Sequence, residues 1–227
     1  MTWEEYAAAW SALHGGFDPG AASPVVRGWV RLAWRGGSLL ARLGVGPAAV
    51  TGAGLLLCVA VPFAVLLGPA GLLLGGVLVL LASFADGLDG AVAVVAGRVT
   101  RLGFVLDSVA DRLGELAWLT ALWLAGAPAG LVVAGGAVSW LHEYVRARAA
   151  ASGMREIGAV TVGERPTRVS VAISALIVGG VAGLVHSGWD STVVTIAAAA
   201  WLALGAAGLI QLATVVGRQL SGENDLP

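Results

Sequence analysis

The sequence predicts an all-α integral membrane protein, a six-transmembrane-helix bundle preceded by an interfacial amphipathic helix. Three observations predict it. Of 227 residues, 58% are hydrophobic and 12% charged, and the mean hydropathy is +0.86, whereas soluble domains carry about a quarter charged residues. Six stretches are apolar over the roughly 20 residues that a bilayer crossing takes. The thirteen basic residues are all arginine, and they gather before the first stretch, between the second and third, around the connection from fourth to fifth, and after the sixth. Arg112 alone lies deep in a span. Short arginine-bearing loops stay in the cytoplasm, so both termini are predicted on that side.

From the N-terminus, "MTWEEYAAAW" carries acidic residues where a secretory signal would be basic, so no cleaved targeting segment is expected. In "SPVVRGWVRLAWRGGSLLARLG", Ser23 is a candidate N-cap and Pro24 takes the first helical position. Arg27, Arg31 and Arg35 then share one face and Val25, Trp29 and Leu32 another, the layout of a helix lying at headgroup depth. Gly36 and Gly37 are expected to let the chain turn into the first span. The spans are predicted at Ala48–Leu67, Ala70–Gly97, Gly103–Gly126, Pro128–Ala151, Pro166–Leu184 and Val193–Val216. The lone Cys58 excludes an internal disulfide and reads as a packing residue. "GLLLGG" and similar glycine pairs read as helix contacts. A net charge of -1 offers nothing for nucleic acid.

The second and third spans contain the chemistry, in "FADGLDGAVAVVAGRVTRLGFVLDSVADRLGE". Residues three or four apart share a helix face, so Asp86 and Asp89 project together from one span, and Asp107 and Asp111 from the next. A bend at Val99 and Thr100 brings the two pairs to one depth in the cytoplasmic half, where the four carboxylates can converge. An aspartate at the centre of a spanning helix costs about 2.5–3.5 kcal/mol, so four of them need compensation. Arg112 is expected to point away from its neighbour Asp111 and to pair with Glu115. Hard carboxylate oxygens suit Mg²⁺, Mn²⁺ or Ca²⁺; two such ions would neutralise the cluster and clamp a phosphoryl group. Gly90, Ala93 and Gly103 leave room beside the carboxylates.

With its spacing, this run resembles the signature of the CDP-alcohol phosphotransferase (CDP-alcohol phosphatidyltransferase) family, D-x2-D-G-x2-A-R-x8-G-x3-D-x3-D. Asp86, Asp89, Gly90, Ala93, Gly103, Asp107 and Asp111 stand at seven of its eight fixed positions. "GVGPAAVT" at the mouth of the first span is also similar to that family. The resemblance implies transfer of a phosphatidyl group from CDP-diacylglycerol to an acceptor hydroxyl, with release of CMP. It implies Mg²⁺ or Mn²⁺, two ions, held by Asp86, Asp89, Asp107 and Asp111, with Asp111 as general base. Gly90, Ala93 and Gly103 would flank the nucleotide, and the protein would be a homodimer in the cell membrane. Val94 stands where the pattern has arginine; Arg98, four residues on, is expected to reach back in its place. On this reading residues 1–45 are a cytoplasmic segment with the interfacial helix, 46–218 the catalytic domain and 219–227 a cytoplasmic tail.

A second basic run, "LHEYVRARAAASGMREIGAVTVGERPTRV", holds Arg146, Arg148, Arg155, Arg165 and Arg168. It resembles the phosphatidylinositol-phosphate synthase branch, in which Arg146 and Arg168 would bind the phosphate of a small phosphorylated polyol such as inositol phosphate or glycerol 3-phosphate. Glu143 takes a serine position of that branch, where a carboxylate must pair with arginine or accept from a polyol hydroxyl. His142 reads as a hydrogen-bonded or interfacial residue. The alternatives are a family member that binds CDP-lipid without turnover and an ion or proton transporter using the same carboxylates. An intramembrane aspartyl protease fits least, since it would use two aspartates and not two pairs.

Overall fold

A computed structural model describes residues 1–13, 16–154 and 161–222; His14, Arg155 and the last five residues of the tail lie outside them. Every regular element among the described residues is helical: α1 (Trp3–Leu13), α2 (Pro24–Arg42), α3 (Pro47–Val65), α4 (Pro69–Val95), α5 (Arg101–Leu124), α6 (Ala129–Ala151), α7 (Arg165–Val185) and α8 (Trp189–Gly222). Helices α3 to α8 match the six expected stretches. Among the described residues, α3, α4, α7 and α8 are long and apolar enough to cross a membrane. Helices α5 and α6 carry the charge: Asp107, Asp111, Arg112 and Glu115 on one, Glu143, Arg146 and Arg148 on the other. The protein is therefore an all-helical, multi-pass membrane protein.

Helix α1 is absent from the sequence expectations, although its signal is local. Thr2 and Glu5 form a capping box: Glu5 N–H donates to Thr2 Oγ1 at 3.2 Å and Thr2 N–H to Glu5 Oε2 at 2.8 Å. Glu4 and Glu5 in the first turn complement the helix dipole. Helix α2 begins as expected, with Ser23 Oγ accepting from Val26 N–H at 3.4 Å and Pro24 in the first turn.

Gly36 and Gly37 do not end α2; they sit inside it and admit α4. A Cβ on Gly37 would lie 2.7 Å from the Ala91 Cβ, and one on Gly36 2.6 Å from Leu88 Cδ2. The turn comes later, at Gly44, whose φ of +77° suits a residue without a side chain. The sequence reading also grouped Trp29 with Val25 and Leu32. Val25, Trp29 and Leu32 are all exposed, as lipid-facing residues would be, and Trp29 also meets the Phe84 ring edge-on at 5.4 Å.

The chain divides into two compact units, Met1–Cys58 with Leu80–Gly114, and Val59–Val79 with Glu115–Pro227. In the first, Tyr6, Val30, Ala33, Ala91 and Val94 form one buried cluster, and Val50, Ala85 and Val92 another. In the second, α8 packs along α6 and α7. Its glycines behave as the sequence suggests: a Cβ on Gly76 would lie 2.5 Å from Ile177 Cδ1, and one on Gly180 2.8 Å from Leu73 Cδ2. A buried relay ties α8 to α6, with Trp201 Nε1 donating to Ser139 Oγ at 2.9 Å and that hydroxyl to the Gly135 carbonyl.

Candidate functional site

The α4–α5 hairpin does what the spacing of its aspartates requires. Asp86, Asp107 and Asp111 each place a carboxylate oxygen within 4.8 Å of the other two. Two oxygens on opposite sides of one Mg²⁺ stand about 4.2 Å apart, so the trio fits a hard divalent cation with small side-chain adjustments. Asp89 lies outside the trio. It is buried, and Thr51 Oγ1 of α3 donates to its Oδ2 at 2.5 Å. The four carboxylates therefore do not form one equivalent set; three converge and the fourth is held by a hydroxyl.

A cavity of about 280 Å³ opens beside them, and Asp86, Asp89, Asp107 and Gly90 contribute to its lining. A Cβ on Gly90 would meet nothing within 4 Å, so that glycine leaves free space at the carboxylates. The remaining wall includes residues that the sequence reading did not assign to a site: Tyr6 and Trp10 from α1, and Trp29 from α2. Burial pushes the Tyr6 hydroxyl up from 10.0 to about 12, so it stays a neutral phenol.

Other residues of the motif stand elsewhere. Ala93 and Gly103 are not among the residues lining this cavity. Gly103 N–H donates to Thr100 Oγ1 at 3.0 Å, in the cap that starts α5. Arg98 does not continue the helical face of Val94, because α4 ends at Val95. Gly97 then turns with φ +63°, and Arg98 N–H closes back on the Ala93 carbonyl at 2.8 Å. The exposed Arg98 guanidinium instead comes near Gly46, 4.0 Å from where a Cβ would stand. Arg112 likewise departs from expectation: its Nη2 lies 3.8 Å from Asp111 Oδ2.

The second unit holds the arginine–glutamate network. Arg168, 3% exposed, donates from Nη1 to both oxygens of the fully buried Glu115 at 2.8 Å. Its Nη2 donates to Glu143 Oε1 at 2.5 Å and its Nε to the Gly163 carbonyl at 2.9 Å. Glu143 thus meets the condition that its position imposes, by pairing with an arginine. Arg168, expected at the acceptor phosphate, is enclosed by carboxylates. Arg146 is more open, at 28% exposed, and donates to Glu164 Oε1 at 2.5 Å. Glu164 also accepts from Thr161 N–H at 3.0 Å, and Thr161 Oγ1 lies 2.9 Å from His142 Nε2. His142 is accordingly a buried hydrogen-bonding residue.

Glu164 and Thr51 are neighbours of the expected site residues that the sequence left without a defined place, and Glu115, expected beside Arg112, pairs with Arg168. Thr51 had a signal in "GVGPAAVT", and Glu164 in its position before Arg165 and Pro166 at the start of α7.

A family model described as CDP-alcohol phosphatidyltransferase matches residues 45–216. The phosphatidylinositol phosphate synthase of Mycobacteroides abscessus is 39% identical over 151 residues, 63% of this chain and 67% of that protein. The crystal structure of Mycobacterium tuberculosis phosphatidylinositol phosphate synthase with CDP-DAG bound superposes with a TM-score of 0.66 at 28% identity, covering 82% of this chain and 94% of that one. The same enzyme in complex with manganese and citrate gives a TM-score of 0.64 at 29% identity, covering 83% and 88%. With three of the signature aspartates converged and the family match running through α3 to α8, the chain belongs to the CDP-alcohol phosphatidyltransferase family.

Proposed function

We propose that this protein is a divalent-metal-dependent phospholipid synthase that moves the phosphatidyl group of CDP-diacylglycerol onto a hydroxyl of a phosphorylated polyol, with inositol phosphate as the acceptor, and releases CMP. The observation that carries this reading is the convergence of Asp86, Asp107 and Asp111, with a cavity lined by Asp86, Asp89, Gly90 and Asp107. Inositol phosphate is favoured over glycerol 3-phosphate because the relatives are phosphatidylinositol phosphate synthases.

Asp86, Asp107 and Asp111 would hold Mg²⁺ or Mn²⁺, with Asp89 as a further ligand once it turns from Thr51. The bound ions supply charge neutralisation for the diphosphate and for the oxygen leaving with CMP. Asp111 takes the proton of the acceptor hydroxyl as that oxygen forms its bond to the phosphatidyl phosphorus, and the bond from this phosphorus to the CMP oxygen breaks. Gly90 keeps the space beside the carboxylates open to the nucleotide. Arg146, more open than Arg168, would meet the acceptor phosphate, exchanging Glu164 for it. Arg168 holds Glu115 and Glu143 in place, and Glu143 is positioned to accept from a polyol hydroxyl.

The setting follows from the same reading: six spanning helices, with α5 and α6 crossing despite their charge, and α2 lying in the interface. Residues 1–45 and 219–227 flank the catalytic domain on the cytoplasmic side of the cell membrane, where the active site opens, and the protein works as a homodimer. The test is CMP release by purified protein in Mn²⁺ with CDP-diacylglycerol and each acceptor, and lipid products read by mass spectrometry. Turnover with inositol phosphate that disappears in Asp111→Asn is expected. Absence of turnover with any phosphorylated polyol, or undiminished turnover in Asp111→Asn, would overturn the reading.

A further inference from the structure

We propose that α1 is the outer wall of the nucleotide subsite, with Trp10 packing against the nucleoside of the donor lipid and Tyr6 seating the helix behind it. The proposal rests on the CDP-alcohol transferase reading and extends it to a segment outside the family match, which begins at residue 45.

The cavity has two kinds of wall. Asp86, Asp89, Asp107 and Gly90 give it an acidic, open side suited to cations and a diphosphate; Tyr6 and Trp10 give it an aromatic one. A ligand with a charged diphosphate and a flat base matches both. Aromatic side chains hold bases through their π faces without needing particular hydrogen bonds. At about 280 Å³ the space lies near the lower end of ligand pockets, right for a head group whose acyl chains remain in lipid.

Helix α1 is also fixed in place. Its capping box closes the first turn. The Arg31 guanidinium sits 5.0 Å over the Trp3 ring, and Trp3 meets Trp34 edge-on at 5.9 Å. Tyr6, 1% exposed, is buried with Val30, Ala33, Ala91 and Val94. Val94 thereby gains a physical reason. At 8% exposed, it belongs to the same apolar cluster as Tyr6 and to the lining of the same cavity, so it keeps that part of the wall apolar where the family signature has an arginine. The departure from the family signature and the extra helix are two sides of one arrangement.

The test measures donor KM, kcat and calorimetric affinity for CDP in Mn²⁺, together with Mn²⁺ affinity in the absence of nucleotide. Trp10→Ala should raise the KM for CDP-diacylglycerol and weaken CDP about tenfold, the loss of one base–aromatic contact, with kcat and Mn²⁺ affinity within about twofold of wild type. Trp10→Phe, which keeps an aromatic face, should restore affinity. Unchanged KM and CDP affinity in both Trp10→Ala and Tyr6→Ala would overturn the proposal, as would an equal loss of Mn²⁺ affinity, which would mark the helix as a prop for the aspartates. A wild-type protein that neither binds CDP nor releases CMP would remove the transferase reading and this one with it. An active wild type with unaffected variants removes only the role of α1.

Discussion

Replacing Arg168 by alanine tests the buried ionic network at its centre. The side chain is 3% exposed, and its partner Glu115 is 0% exposed. The substitution removes both hydrogen bonds to Glu115, the one to Glu143 and the one to the Gly163 carbonyl. Breaking a buried ion pair from one side costs about 3–5 kcal/mol, because the remaining charge keeps its desolvation without its partner. In a chain of this size each kcal/mol moves the melting point by about 2–4 °C, so the purified protein should melt roughly 6–20 °C lower. Arg168→Lys should fall between, since an ammonium lacks the planar fork that serves two carboxylates at once. The double variant Glu115→Gln with Arg168→Met should lose less than the sum of the single changes, because it leaves neither buried charge. Thermal unfolding in detergent, followed by circular dichroism, reads these three variants together with the single changes Glu115→Gln and Arg168→Met. A melting point for Arg168→Ala within about 2 °C of wild type would refute the reasoning, since that is less than about 1 kcal/mol.

Thr51→Val removes the hydroxyl that donates to Asp89 at 2.5 Å; affinity for Mn²⁺ should change by about tenfold, the scale of lost outer-shell orientation, as read by titration. Gly37→Ala puts a Cβ 2.7 Å from the Ala91 Cβ and 3.0 Å from the Ala91 carbonyl carbon, and should destabilise by about 1–3 kcal/mol. Gly90→Ala meets open space and should leave the melting point intact while weakening CDP. Because the Tyr6 hydroxyl is raised from 10.0 to about 12 by burial, its contribution to stability is complete below pH 10 and is lost as the pH rises through 12. The alkaline limb of the melting-point profile should therefore flatten in Tyr6→Phe.

Much of this molecule was legible in the chain alone, for identifiable reasons. Apolar length is a local property, so α3, α4, α7 and α8, long and apolar enough to cross a membrane, stand at their expected places, and the more charged α5 and α6 are helical where two further spans are expected. Ser23 and Pro24 announce the start of α2 because a cap acts within one turn. The spacing of Asp86, Asp107 and Asp111 on two arms of a hairpin carries their convergence, since helical rise and periodicity convert sequence distance into position. Even the demand that Glu143 pair with an arginine or accept from a hydroxyl follows from its charge beside a phosphate, and the arginine is Arg168.

What the chain could not announce was which of several equivalent partners each group would take, a choice made by packing between segments far apart in sequence. Asp89 and Asp86 look alike along α4, yet only the approach of α3 gives one of them the Thr51 hydroxyl. Arg168 and Arg146 look alike as phosphate ligands, and only the fold encloses the first with Glu115 and Glu143. Arg98 shares a face with Val94 only on a helix that continues past Gly97; α4 ends at Val95 and the chain turns at Gly97, which removes that face. Val94 reads as a lost function until it is found in one buried cluster with Tyr6. Helical periodicity determined what could meet, and tertiary packing decided what did, because burial energy depends on neighbours that no local pattern contains.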